Sequence, residues 1–273
     1  MPVTQQDKAN HFRKLHEDPE GFVIANAWDA GSGRILAGMG FAALATSSGA
    51  SANVLGRRDG HVTRDEALAH CRAIVEAADV PVSADLEKGF GDAPSDAART
   101  ILMAADAGLV GGSIEDATGY ADQPLYSMAQ AVERVAAAVE AARSLPFHFM
   151  LTARTENYLR GNPSLDDTIA RLQAFEKAGA DVLFAPGLPD LAAVKAVCSA
   201  LTKPVNFMVG IKGKSFSVAE LRAAGVRRIS LATSLYRAAM TGLVEAAREV
   251  KEQGTFTYLD RGMPSGELNA FMR

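Results

Sequence analysis

The chain has 273 residues, 48% of them hydrophobic and 22% charged, with a formal net charge of -4. That composition describes a soluble globular protein with ample core, and the mild negative charge argues against a nucleic-acid or anionic-membrane surface, leaving a small ligand as the expected partner. The start, MPVTQQDKANHFRKLHEDPEGF, mixes charges without an apolar core, and no later run reaches about 18 unbroken apolar residues, so neither a signal peptide nor a membrane span is expected. Cys71 and Cys198 both fall in helix-like patterns without metal-ligand spacing, which suggests buried thiols and a reducing, cytoplasmic setting.

Short β-branched runs alternate with Ala-rich amphipathic stretches along the whole chain. FVIANAWD (22–29) and AALATSSG (42–49) are the first strand candidates. A helix opened by Thr63 with Glu66 leads to VPVSADLE (80–87), and a second helix stopped by Gly108 leads to GGSIED (111–116). Ser127 with Gln130 opens the next helix before FMLTART (149–155), and SLDDTIARLQAFEKAGA ends at Gly179 before DVLFAPG (181–187). LAAVKAVCSAL precedes PVNFMVG (204–210), and a helix running from Ser217 with Glu220 to Gly225 precedes RRISLAT (227–233). A last long helical pattern, SLYRAAMTGLVEAAREVKEQG, is followed by TFTYLDRGMPSGELNAFMR, which is expected to pack on this or a neighbouring subunit.

About eight βα units without a linker or composition break predict a (β/α)₈ barrel as one domain over 1–273, the barrel itself spanning about 20–240 and the C-terminal helix and tail about 241–273. An open, doubly wound sheet is the runner-up.

Polar residues recur at every second position in three of these runs: Asp85 and Glu87, Ser113 and Glu115, and Thr152, Arg154 and Glu156. Strand alternation puts each set on one face, and neighbouring strands aim them at a common point at the carboxyl ends of a barrel, where chemistry resides. Carboxylates gathered in this way need a cation, and hard oxygen ligands select Mg²⁺, with Mn²⁺ as the alternative. Ser47, Ser48 and Gly49 close the second strand, where small residues let backbone N–H groups approach a ligand carboxylate. Asp59 lies in the following loop, and Asn206 falls late in the seventh run. That inventory suits a metal-bound α-oxyacid, with Arg154 gripping a carboxylate and the cation stabilising an enolate, so that the neighbouring C–C bond can break. Tyr120, Tyr126 and His61 are the available proton carriers, whereas Lys88 is expected to point away from the axis. Lys212 and Lys214 are expected to decorate a loop, and Trp28 and Phe90 to pack around the rim.

ATSSGAS followed by LGRRD, SADLEKGFGD, GSIED, LTART and VRRISLATSLYRA resemble, in order, the signatures of the isocitrate lyase and phosphoenolpyruvate mutase superfamily over residues 20 to 240. The resemblance implies a Mg²⁺-binding (β/α)₈ barrel, usually a homotetramer built as a dimer of dimers with a C-terminal helix exchanged between paired subunits. By position it makes Asp85 the direct metal ligand, with Glu87, Glu115 and Asp59 on metal-bound waters. Ser47, Ser48, Gly49, Asp85, Arg154 and Asn206 would bind substrate, and Arg154, Glu115 and Ser47 would act in catalysis. Two departures matter. The loop after the fourth strand, EDATGYADQPLYS, lacks the Lys-Lys-Cys-Gly-His stretch of isocitrate and methylisocitrate lyases and the Lys and Asn used on phosphonates, and Ala45 stands where relatives place Tyr or Trp. The expectation is therefore a Mg²⁺-dependent carbon–carbon lyase of a small α-keto or α-hydroxy acid, by retro-aldol cleavage or decarboxylation. Phosphonate P–C chemistry and a non-catalytic keto-acid binder are the alternatives.

Overall fold

The computed structural model describes residues 3–272. Eight parallel strands close into a barrel in sequence order: β1 (Phe22–Asn26), β2 (Leu44–Ala45), β3 (Val82–Asp85), β4 (Gly111–Glu115), β5 (Met150–Arg154), β6 (Val182–Phe184), β7 (Val205–Met208) and β8 (Arg228–Ser230). Closure is made where Phe22, Val23 and Ile24 pair with Arg228, Ile229 and Ser230. The helices are α1 (Gln5–Glu17), α2 (Ala30–Gly38), α3 (Ser48–Val54), α4 (Arg64–Ala77), α5 (Pro94–Asp106) and α6 (Met128–Arg143). They continue as α7 (Leu165–Lys177), α8 (Leu191–Ser199), α9 (Val218–Ala223), α10 (Ser234–Gln253) and α11 (Ser265–Phe271).

The expected starts and stops are where the side chains and glycines mark them. Thr63, Ser127 and Ser217 form reciprocal capping boxes with Glu66, Gln130 and Glu220, each satisfying two orphan backbone donors. Gly108, at φ 90° just past α5, takes the left-handed conformation that lets the chain reverse into β4 with no Cβ penalty.

One end of the barrel is plugged and the other is open. Phe12 of α1 packs with Phe22, Ile24, Ala43, Val110, Met150 and Val182 in an apolar cluster at the amino ends of the strands. Lys8 and Gln5 tie α1 there by donating to the carbonyls of Ala78 and of Ala105 and Leu109, which lie just ahead of β3 and β4. The larger clusters fill the space between strands and helices. Substrate access is therefore left to the carboxyl-end face.

Strand lengths depart from the sequence reading at that face. β2 is two residues long, and Glu87 and Glu156 lie beyond the ends of β3 and β5, so alternation does not orient them. α10 buries none of its residues and leaves Leu243, Val244 and Val250 exposed, whereas α11 folds back so that Phe271 lies against Gly38 of α2. No helix of the described residues is long and apolar enough to cross a membrane.

Candidate active site

Asp85 is the hub of the open end. Its backbone N–H donates to Thr46 Oγ1 at 3.1 Å, and its carboxylate accepts the N–H groups of Ser48 and Glu87, each at 3.3 Å. The chain then leaves the strand path: Leu86 is fully buried in the core, and Glu87 turns at φ 50°. A left-handed non-glycine residue costs about 1 kcal/mol, which the surrounding contacts must offset, among them the Glu115 N–H donating to the Glu87 carbonyl at 2.9 Å. Glu87 thus reaches the mouth from a strained turn.

Arg154 is surrounded by carboxylates. Its Nε donates to Glu156 Oε1 at 2.5 Å, and its Nη1 lies 3.4 Å from Glu115 and 3.7 Å from Asp85. Arg160 adds a second cation to the same acids, 3.4 Å from Glu156 and 3.9 Å from Glu115. Glu156 is itself held from below: its N–H and the Thr155 hydroxyl both donate to buried Asp116 at 2.8 Å, and Arg171 pairs with Asp116 at 3.1 Å. This buried network fixes Glu156, which fixes Arg154.

The charge balance is left incomplete. Burial, with Asp85 and Asp59 nearby, pushes the Glu87 carboxyl up to about 7. Burial pushes Glu115 up to about 8 against the pull of Arg154, with Glu156 and Asp85 adding to the rise. Burial works against the Arg154 charge, yet Glu115, Glu156 and Asp85 together hold it above the ordinary arginine range. Native carboxyls above their ordinary 4.5 bind protons more tightly than the unfolded chain does, so their contribution to stability is lost as pH rises toward 7 and 8. His16 acts in a lower window: burial and Arg228 push it down to about 3, so stability falls as pH drops below its ordinary 6.5. Between about pH 6.5 and 8.5 the metal-free protein should therefore lose thermal stability, and Glu115→Gln should flatten that slope. Scanning calorimetry across the window checks it, and equal slopes for the two proteins would contradict the assignment.

Two adjoining cavities share Ser48, Asp59 and Arg154. The inner one, about 250 Å³, is lined by Ser47, Gly49, Asp85 and Asn206 together with Ala45, Thr152 and Arg228. The outer one, about 480 Å³, carries Glu87, Glu115, His61, Lys88, Tyr120 and Arg160. Gly49 packs closely: a Cβ there would lie 3.3 Å from Thr233 Cγ2 and 3.4 Å from Asp59 Oδ2, a tight contact that either side chain would have to ease by a few tenths of an ångström. The residues named from sequence as metal or substrate ligands thus line one or both of the two cavities, whereas Glu156 and Tyr126 line neither.

Several sequence expectations need correction. Ser48 is the first residue of α3 and Ser47 its N-cap, so the Ser48 N–H is engaged by Asp85 instead of being left for a ligand. Lys88 does not point away, because the turn at Glu87 resets the alternation and its ammonium lies 2.6 Å from Asp92 and 2.7 Å from the Thr118 carbonyl. Tyr126 is buried with its hydroxyl on Asp92 at 2.5 Å, outside both cavities, and Tyr120 donates to the same carboxylate at 2.8 Å. His61 stays at the outer rim, its Nδ1 3.1 Å from the Asp59 carbonyl. Burial pushes the Cys71 and Cys198 thiols up to about 12 and 11, as befits inert thiols. Arg160 and Arg228 were missed. The first sits on a loop with no periodic signal, whereas the second is legible as the inward member of the Arg227, Arg228 pair.

Three carboxylates at the mouth of an inner polar cavity, at the carboxyl ends of a closed (β/α)₈ barrel, define the class: a barrel enzyme whose chemistry is set by the loops above its strands. The family model described as phosphoenolpyruvate phosphomutase matches residues 12–251. The chain belongs to this family, within the phosphoenolpyruvate mutase and isocitrate lyase superfamily. The 2,3-dimethylmalate lyase of Eubacterium barkeri is 30% identical over 97% of this chain and 93% of its own. An oxaloacetate decarboxylase of a Bradyrhizobium species is 32% identical over 90% and 85%. A crystal structure from Burkholderia cenocepacia J2315, described as a candidate lyase or mutase, superposes with a TM-score of 0.96 at 52% identity, covering 98% of this chain and 96% of that one.

Proposed function

We propose that the protein is a divalent-metal-dependent carbon–carbon lyase acting on a small α-keto or α-hydroxy acid. The observation that carries this reading is the convergence of Asp85, Glu87 and Glu115 with Arg154 at the mouth of the inner cavity. The donor set is all oxygen, and two of its carboxyls are displaced toward neutrality, which is the electrostatic state of a site short of positive charge. Among the described residues no three His, Cys, Asp or Glu side chains form a ready-made ligand shell. The all-oxygen donor set suits Mg²⁺, which keeps several waters and takes one or two carboxylates directly, better than Zn²⁺. Asp85 would hold the ion, with Glu87, Glu115 and Asp59 on its water shell. An ion held by these residues would supply the positive charge that offsets negative charge developing on the substrate oxygens.

The chain's own groups do the rest. Glu156 anchors Arg154 through Nε, and the longer Nη1 contacts leave the terminal nitrogens able to turn to a substrate carboxylate. Ser47 and Asn206 border the same space, and an inner cavity of about 250 Å³ suits a small acid. The exposed apolar face of α10 supports assembly of the chain with copies of itself. P–C chemistry on a phosphonate is the second reading, favoured by the family-model match and disfavoured by the loop without Lys or Asn.

The decisive assay is turnover of oxaloacetate, 2-methylisocitrate, 2,3-dimethylmalate and phosphonopyruvate with Mg²⁺ and with EDTA. Mg²⁺-dependent cleavage of one of the carbon acids is expected. Phosphate release from phosphonopyruvate alone would replace this reading with the second.

A further inference from the structure

Arg228 is a buried cation for which the site described so far has no use. It lines the inner cavity and is 6% exposed, yet among the described residues no carboxylate lies within ion-pair distance. Its Nη1 donates to Thr152 Oγ1 at 3.1 Å, and its guanidinium stands 5.9 Å from the Phe12 ring of the apolar plug. Among the described residues its Nε, itself shielded from solvent, has no acceptor, so one N–H of the edge that matches a carboxylate is left without a partner. The register partner Asn206 shows the same incompleteness: its Nδ2 donates to Ser230 Oγ at 3.0 Å while its Oδ1 finds no donor.

The contrast with Arg154 locates what is missing. Both arginines line one cavity, but Arg154 is matched by Glu115, Glu156 and Asp85, and Arg228 by nothing of opposite charge. Thr152, which touches Arg228, precedes Arg154 by two residues on the same face of β5, so Arg228 is engaged about 7 Å deeper along the strand. A water could satisfy the Nε–H, but it would leave a full charge uncompensated in a low-dielectric interior. An anion satisfies both demands. Burial alone pulls the Arg228 pKa down, to about 10, so the group remains charged at neutral pH.

We infer that Arg228 forms the floor of the substrate site and receives the second carboxylate of a small dicarboxylic acid whose other end lies by Asp85 and Arg154. The inference rests on the proposed reading of that upper end. It makes Arg228 the residue that separates dicarboxylic from monocarboxylic acids.

Calorimetric titration of the full chain in Mg²⁺ with lactate and with malate, which differ by one carboxylate, tests the two levels separately. Malate should bind wild type at least about 30-fold more tightly than lactate, and Arg228→Gln should bring malate to within about threefold of lactate while leaving lactate affinity within about threefold of wild type. Should Arg228→Gln fail to fold, Arg228→Lys keeps the charge without the fork and should narrow the ratio. Equal binding of both acids to wild type, or an unchanged ratio in the variants, overturns the subsite while leaving the metal and Arg154 end intact. Binding of neither acid defeats the proposed function itself and the subsite with it. A strong preference for phosphonopyruvate over malate that is lost in Arg228→Gln overturns the carboxylate assignment in favour of a phosphonate.

Discussion

Asp85→Asn is expected to lower kcat/KM by about 10³-fold or more and to weaken Mg²⁺ binding by about 10²-fold or more, without unfolding the protein. Asp85 accepts the Ser48 and Glu87 N–H groups on separate oxygens and an amide has only one, so the variant keeps one of these two 3.3 Å anchors and the fold loses no more than the other. The charge is what disappears. Because Asp85 helps raise both Glu87 and Glu115, its neutralisation should let those carboxyls ionise more easily and leave the metal-free variant at least as heat-stable as wild type at pH 8. Activity and stability thus move in opposite directions, which a general packing defect would not produce. A variant with wild-type Mg²⁺ affinity in calorimetry would remove Asp85 from the centre of the site.

Arg154→Met, by contrast, should cost stability as well as activity. At an effective dielectric of ~20 an ion pair near 4 Å is worth about 4 kcal/mol before desolvation, and removing one member of a buried pair costs about 3–5 kcal/mol net. Glu115, Glu156 and Asp85 would then face one another with only Arg160 beside two of them. A drop in Tm of about 10 °C follows for a chain of this size. Added Mg²⁺ should recover more of that loss than it adds to wild type. Arg154→Lys restores the charge but not the planar fork, so most of the stability should return while kcat/KM stays about 10²-fold low. A Tm for Arg154→Met equal to wild type would show that the carboxylates are balanced by something else.

The barrel was legible because its signals are local. Capping boxes at Thr63, Ser127 and Ser217 and the reversal at Gly108 act within a few residues, and the alternation of eight strand and helix patterns leaves little choice of topology. The pleat puts Ser113 and Glu115, and Thr152 and Arg154, each on one face; the register sets Ser113 beside Thr152 and Glu115 beside Arg154, and all four border the two cavities. Glu87 and Glu156 also reached the site, but by a left-handed turn and by a backbone bond to Asp116, neither of which periodicity encodes. The same turn reversed the expectation for Lys88, whose partners come from 4 and 30 residues away. Tyr126 was drawn to Asp92 by a loop that the sequence leaves undetermined.

By itself, then, the amino-acid order determined a closed α/β barrel of this superfamily and put Asp85, Glu115 and Arg154 at the carboxyl end of its strands, because side-chain direction in a strand is a matter of counting by two. Only the tertiary structure decided which charges are neutralised and which are not. Arg154 meets three carboxylates and Arg228 meets none, although both are arginines on inward strand positions. That difference arises from distances across the barrel, set by the closure of all eight strands together.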